Sequence, residues 1–142
     1  MLSKEEAQKL RQEFWTAFGK SFPRKWVLYN TKIKDFSFKF HAESKKAMVS
    51  VDLEMKDQDL QELYYNKFWS LEDQLKELWG SLEKSPTFEL ENGKIISRFW
   101  IELSEVSIYD KQSWQTIYEF FYDKMDALER FFFDYEEFIK DV

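Results

Sequence analysis

Between Ala7 and Phe18 the apolar residues recur at steps of three and four, as Ala7, Leu10, Phe14, Ala17 and Phe18. That period predicts a helix with one core face. Ser3 and Glu6 stand at capping-box spacing and mark its start, while Gly19 followed by Pro23 supplies a stop. From Asp35 the period drops to two. Phe36, Phe38 and Phe40 alternate with Ser37, Lys39 and His41, and Val49, Val51, Leu53 and Met55 alternate with Ser50, Asp52, Glu54 and Lys56. Two antiparallel strands with one buried and one wet face are expected, joined across Glu43–Lys46. Trp26 to Tyr29 is a candidate for a further short strand.

A second helix is expected from a cap at Asp57 or Asp59. Leu60, Leu63, Tyr64, Phe68, Leu71, Leu75, Leu78, Trp79 and Leu82 form one stripe over about six turns. Gly80 and Pro86 then end it. Glu91-Asn92-Gly93-Lys94 predicts the turn of a second hairpin, because Asn and Gly tolerate positive φ. In its return strand Ile95, Phe99, Ile101 and Leu103 are assigned to the core, and Ile96, Arg98, Trp100 and Glu102 to the other face. Asp110 or Ser113 caps a third helix expected to run almost to Val142, about 45 Å if unbroken. Trp114, Ile117, Phe121, Met125, Leu128, Phe132, Tyr135 and Ile139 centre its apolar arc, which Phe120, Phe131 and Phe138 widen to about 160°, beyond the usual ~100° stripe. Tyr122 and Phe133 fall outside even that arc. The resulting order is helix, hairpin, helix, hairpin, helix. It predicts a two-layer α+β fold in which a four-stranded, or slightly larger, antiparallel sheet packs on helices.

Length fits one domain over residues 1–142. A chain of this size buries roughly 70% of its unfolded surface, so it needs no covalent or metal staple. The absence of Cys removes disulfides, thiolate zinc sites and thiol catalysis. One His, 3 Gly and 2 Pro leave no His-pair metal site and no glycine-rich phosphate loop. No cofactor or metal is implied. The 21 Lys and Arg against 27 Asp and Glu give a net charge of -6, which disfavours a large phosphate footprint. Met1–Glu6 turns polar at once, without an apolar stretch of signal-peptide length, and no apolar run approaches the ~20 residues of a membrane span. A cytoplasmic location, with no membrane partner, is the expectation.

Three constellations bear on function. Asp35 followed by Glu54-Met55-Lys56, with Asp52 added, satisfies loosely the signature of a PD-(D/E)xK nuclease, in which two carboxylates hold Mg²⁺ and the Lys steadies the attacking water. The polar parity of an amphipathic strand produces the same residues, and an antiparallel hairpin departs from the parallel pairing of that nuclease core. The second constellation is the open sheet face, where Trp100 and Arg98 have Lys39 and His41 as expected neighbours. Trp and Arg are enriched in binding hot spots, so this is the expected binding surface, unless a helix or a second copy covers Trp100. The third is basic and aromatic: Lys20, Arg24, Lys25, Lys32 and Lys34 interleave with Phe22, Trp26 and Tyr29. It has the composition of a nucleic-acid contact, and equally of a connection whose aromatics are core. Tyr122 and Phe133 point to a homodimer through the C-terminal helix; another protein partner is the alternative.

The Val51-Asp52-Leu53 strand, the helix leading into Leu75-Lys76-Glu77-Leu78-Trp79-Gly80, the strand carrying Arg98, and Trp114 opening a helix with spaced aromatics through Phe131 and Phe132 resemble the bacterial domain-of-unknown-function family 4268 over roughly residues 45 to 135. The resemblance implies a domain often found C-terminal to nuclease-like domains, with no catalytic residues to transfer. The expected function is a non-enzymatic binding or interaction module, accessory to nucleic-acid processing by resemblance alone. The alternative is a small Mg²⁺-dependent nuclease using Asp35, Asp52, Glu54 and Lys56.

Overall fold

A computed structural model describes all of residues 1–142. Its elements are α1 (Lys4–Ser21), β1 (Phe36–Ala42), β2 (Lys46–Leu53), α2 (Gln58–Trp69), α3 (Glu72–Trp79), β3 (Glu83–Glu89), β4 (Ile95–Ser104), α4 (Lys111–Asp134) and α5 (Glu136–Lys140). The fold is α+β. All four strands are antiparallel in the order β1-β2-β4-β3, so the two halves of the chain meet where β2 pairs β4.

Local chemistry sets the boundaries. The Ser3–Glu6 box forms with both reciprocal bonds, and α1 runs through Gly19 to Ser21. Asp57 caps α2 by accepting from the Asp59 and Leu60 amides, and Asp110 caps α4. Gly93 takes φ +86° in the β3–β4 turn, where the Leu90 amide donates to Lys94 O at 2.8 Å.

Four expectations about the elements need correction. The second helix is two helices, because the chain breaks after Trp69 and restarts at Glu72. The break admits Leu71 to the core together with Leu75 and Trp79, and the buried stripe of α2 is Gln61, Tyr65 and Phe68. Leu60, Leu63 and Leu78 accordingly stay exposed. Pro86 is no helix stop: Gly80, at φ +88°, closes α3, and Pro86 lies in β3 where the register shifts between Ser85 and Phe88. An edge strand with a bulge tolerates the missing N–H there. The last helix also divides, at Tyr135. Trp26 to Tyr29 forms no strand but a turn in which the Asn30 amide donates to Val27 O, while Leu28 O accepts from Phe38 N at 3.0 Å.

The helices pack on one sheet face. Phe36, Phe38, Phe40, Val49, Val51, Leu53, Phe99 and Ile101 present one parity to them. Phe132 meets Phe36 and Phe38, Phe68 and Tyr65 meet Phe99, and Phe18 and Phe121 meet Phe40. Phe14 of α1 lies against Tyr118 and Phe121 of α4, and the Tyr118 hydroxyl donates to Phe14 O at 2.7 Å. Fully burying each such ring contributes about 1.5–3 kcal/mol, and edge-to-face pairs add about 0.5–1.5 kcal/mol. The aromatic excess of the composition is therefore largely core. Ile95, expected in that core, sits 49% exposed at the start of β4, and Ser97 takes the next inward position.

Candidate functional site

The opposite parity of the sheet carries Ser37, Lys39 and His41 from β1, Met48, Ser50 and Asp52 from β2, and Ile96, Arg98, Trp100 and Glu102 from β4. Pairing β2 with β4 places Asp52 opposite Arg98, and Ser50 opposite Trp100. This face was expected to be wet, yet Ser50, Asp52 and Ile96 are fully buried and Met48 and Arg98 nearly so. The reason is side-chain length. Long residues on the flanking strands fold over the short ones in the centre, and they do it with matched charges.

Arg98 donates from Nε and Nη2 to the two oxygens of Asp52, each at 2.8 Å. Lys39 Nζ lies 3.4 Å from Asp52 and 3.0 Å from Glu54, and Lys94 Nζ reaches the other Glu54 oxygen at 3.0 Å. Five side chains thus alternate in sign across the face. Burial alone would raise the pKa of Asp52, but the bonds and charge of Arg98 outweigh it and hold the carboxyl below its usual range. Glu54 is lowered in the same way against burial by Lys39 and Lys94. Lys39 is raised, because its carboxylate neighbours overcome its own desolvation.

Two further groups complete the face. His41 Nε2 sits 2.8 Å from Ser50 Oγ. Burial, with the Arg98 charge behind it, lowers the His41 pKa to about 4, so the ring is neutral near pH 7. The Arg98 guanidinium lies 4.4 Å from the centroid of Phe88, whose ring meets Trp100 edge-on at 5.3 Å. Trp100 is half-buried, and its Nε1 is the one buried side-chain polar atom in the chain without a partner.

The predicted binding residues therefore come together, though in different roles. Trp100, Lys39 and His41 reach the surface in part. Arg98 does not: it is 4% exposed and committed to Asp52, so it supports the face from beneath. Tyr29, 73% exposed with its ring 5.8 Å from Lys39 Nζ, extends the rim and lay outside the sheet pattern that pointed to the others.

The nuclease quartet assembles only in part. Asp35, Glu54 and Lys56 border one shallow depression of about 460 Å³, and Asp35 O accepts from Glu54 N. Asp52 faces away from it into Arg98. Both oxygens of Asp52 and both of Glu54 are already bonded to cationic side chains, and no group of three His, Cys, Asp or Glu converges on a metal position. These donors do not fit a Mg²⁺ site, because binding the ion would require stripping Arg98, Lys39 and Lys94 from their carboxylates.

In the basic cluster Arg24 and the aromatics Phe22 and Trp26 are structural. Arg24 donates to Asp126 at 2.7 Å and Glu129 at 2.8 Å and lies 4.2 Å from the Trp26 centroid, while Phe22 and Trp26 pack on Phe18. Lys20, Lys25, Lys32 and Lys34 remain exposed. Glu129, only 4% exposed, also accepts from the Val27 amide at 2.6 Å. No apolar periodicity pointed to this anchor: at about 100° per residue Glu129 falls beyond the apolar arc of α4, beside Tyr122. Of the two aromatic outliers, Tyr122 packs on Phe22 and Trp26 within the chain. Phe133 is 56% exposed, with Phe132 as its ring neighbour. No helix is long and apolar enough to cross a membrane.

No curated protein and no solved structure matches the chain. Residues 10–136 match the sequence model of a domain of unknown function, DUF4268, and with nearly the whole fold inside that match the chain belongs to this family.

Proposed function

We propose that the protein is a non-enzymatic binding module that docks a protein partner on the outer face of its sheet, as an accessory to nucleic-acid processing. The observation that carries this reading is Trp100. Its indole N–H is shielded from solvent without an acceptor, on an interior strand of a face that bears no helix and is cross-linked by the Asp52–Arg98 pair. An orphaned buried donor is rare in folded proteins and costs about 1–3 kcal/mol, which a partner would recover where docking turns the half-buried indole toward its acceptor. Trp100, His41, Lys39 and Tyr29 offer the mixed aromatic and cationic chemistry of interface hot spots. The saturated carboxylates support the non-enzymatic part.

The test pairs capture with chemistry. Tagged wild-type protein retains its partner through purification, and the Trp100→Ala variant, folded by its circular dichroism, does not. Purified protein with Mg²⁺ leaves plasmid DNA intact. Cleavage that disappears in Glu54→Ala sinks the module reading and installs the nuclease.

Phe133 supports a second contact. A large aromatic side chain more than half exposed near the end of α4 is the feature on which we also propose self-association through α4.

A further inference from the structure

Apart from the outer face, a cleft of about 390 Å³ opens between α2 and the bulge of β3. That size lies within the range of about 300–1,000 Å³ typical of small-molecule sites. Gln61 forms its floor, 4% exposed. The Ser97 hydroxyl donates its single proton to Pro86 O at 2.7 Å, so toward Gln61 it can only accept. Gln61 must then turn its Nε2 to Ser97, at 3.0 Å, and its Oε1 away. This relay fixes the amide orientation chemically. Oε1 receives no donor from the protein and, unlike Trp100 Nε1, is not closed off from solvent, so it stands as a free acceptor on the floor of the cleft.

The other walls match it. Trp69 is nearly half exposed, and its ring is pinned by the Nε1 bond to Glu72 at 2.7 Å, while Lys84 bonds the other Glu72 oxygen at 2.7 Å. The tryptophan thus offers a fixed aromatic platform. Glu62 and Asn66 add acceptors and a donor at the rim, and Thr87 of the bulge adds a hydroxyl. The lining contains no Lys, Arg or His, and the nearby Lys84, 5.3 Å from the Trp69 centroid, is neutralised by Glu72, which disfavours phosphate and carboxylate ligands.

We propose that this cleft binds one ring of a neutral carbohydrate. A pyranose has an apolar C–H face that stacks on Trp69 and several hydroxyl donors, which match the surplus of acceptors at Gln61 Oε1 and Glu62. A nucleoside offers the stacking face but fewer donors on its base, and a nucleotide adds a phosphate for which the lining holds no cation. The site is independent of the outer-face reading, since no residue is shared.

The experiment is an ¹H–¹⁵N titration of the full chain with the methyl glycosides of glucose, galactose, mannose and N-acetylglucosamine. The expected result is saturable movement of the Gln61 side-chain amide and Trp69 indole resonances with at least one sugar. Gln61→Leu, which keeps the bulk and removes the acceptor, weakens binding about tenfold or more, a difference of about 1.4 kcal/mol. Trp69→Ala, shown to be folded by its circular dichroism, abolishes it. Absence of saturable shifts with all four sugars overturns the proposal. So does undiminished binding by folded Trp69→Ala, or saturation by nucleosides where the sugars fail.

Discussion

Arg98 stands opposite Asp52 across β4 and β2 and donates two hydrogen bonds of 2.8 Å to its carboxylate within a layer almost closed to water. The pair joins strands from the two halves of the chain on the face that no helix supports. Breaking a buried ion pair by removing one partner costs about 3–5 kcal/mol, because the remaining charge stays buried. Arg98→Met is expected at the lower end of that range, since Lys39 still lies 3.4 Å from Asp52. In urea denaturation the double variant Asp52→Leu, Arg98→Met recovers most of the loss. Equal losses in single and double variants contradict this account of the pair.

His41 should dominate the acid limb of stability. Its pKa is depressed from 6.5 to about 4 by burial and by Arg98. Between those values the unfolded chain takes up a proton that the folded one refuses, so stability is full above pH 6.5 and falls as pH drops toward 4. At about 1.4 kcal/mol per pH unit the loss is on the order of 2–3 kcal/mol after allowance for partial exposure. The lowered carboxyls of Asp52 and Glu54 act in the same direction but below their ordinary values of 3.8 and 4.5, so they take over at more acid pH. His41→Asn is expected to flatten the slope between pH 6.5 and 4.5. An unchanged slope assigns the acid limb elsewhere.

Two glycines predict opposite signs. Gly19 lies inside α1 with open space around a new Cβ, so Gly19→Ala should stabilise by about 0.5–1 kcal/mol through helix propensity. Gly80 has equal space but φ +88° at the end of α3. Gly80→Ala is expected to destabilise by about 1–2 kcal/mol, the cost of a left-handed backbone for a residue with a Cβ. Melting temperatures of the two variants should therefore move apart.

Glu129 closes the connection between α1 and β1 through Arg24 and the Val27 amide. Its replacement by Ala strands a buried N–H and loosens Arg24. Hydrogen exchange is the sensitive readout: the Val27 amide should lose most of its protection while the β2 and β4 amides keep theirs. A uniform loss across the sheet contradicts a local role.

Self-association through α4 rests on Phe133. Sedimentation at rising concentration is expected to show dimers for the wild type and monomers for Phe133→Asp. A monomer of 17.5 kDa throughout removes that contact.

The period of the apolar residues carried the sheet almost completely: Phe36-Phe38-Phe40 and Val49-Val51-Leu53 alternate in sequence and in space, and Asn92-Gly93 marks its turn in both. The helical phase of α2 was less legible. Leu60 and Leu63 drew the stripe one residue off, because leucine on an exposed face looks the same in sequence as leucine in a core. Gln61, in phase with Tyr65 and Phe68, was the signal that could have corrected it. The gathering of Trp100, Arg98, Lys39 and His41 on one face followed from parity alone. The burial of Asp52 and Arg98 did not, since parity tells which face a residue takes but not which long neighbours fold over it.

The central claim is that the outer sheet face is the working surface, and photo-crosslinking in cells tests it most directly. A photoreactive residue at position 100 is expected to give a discrete adduct with a second protein, and one at the exposed Leu63 on the helical side to give none. Adducts from position 63 with none from position 100 would contradict the account.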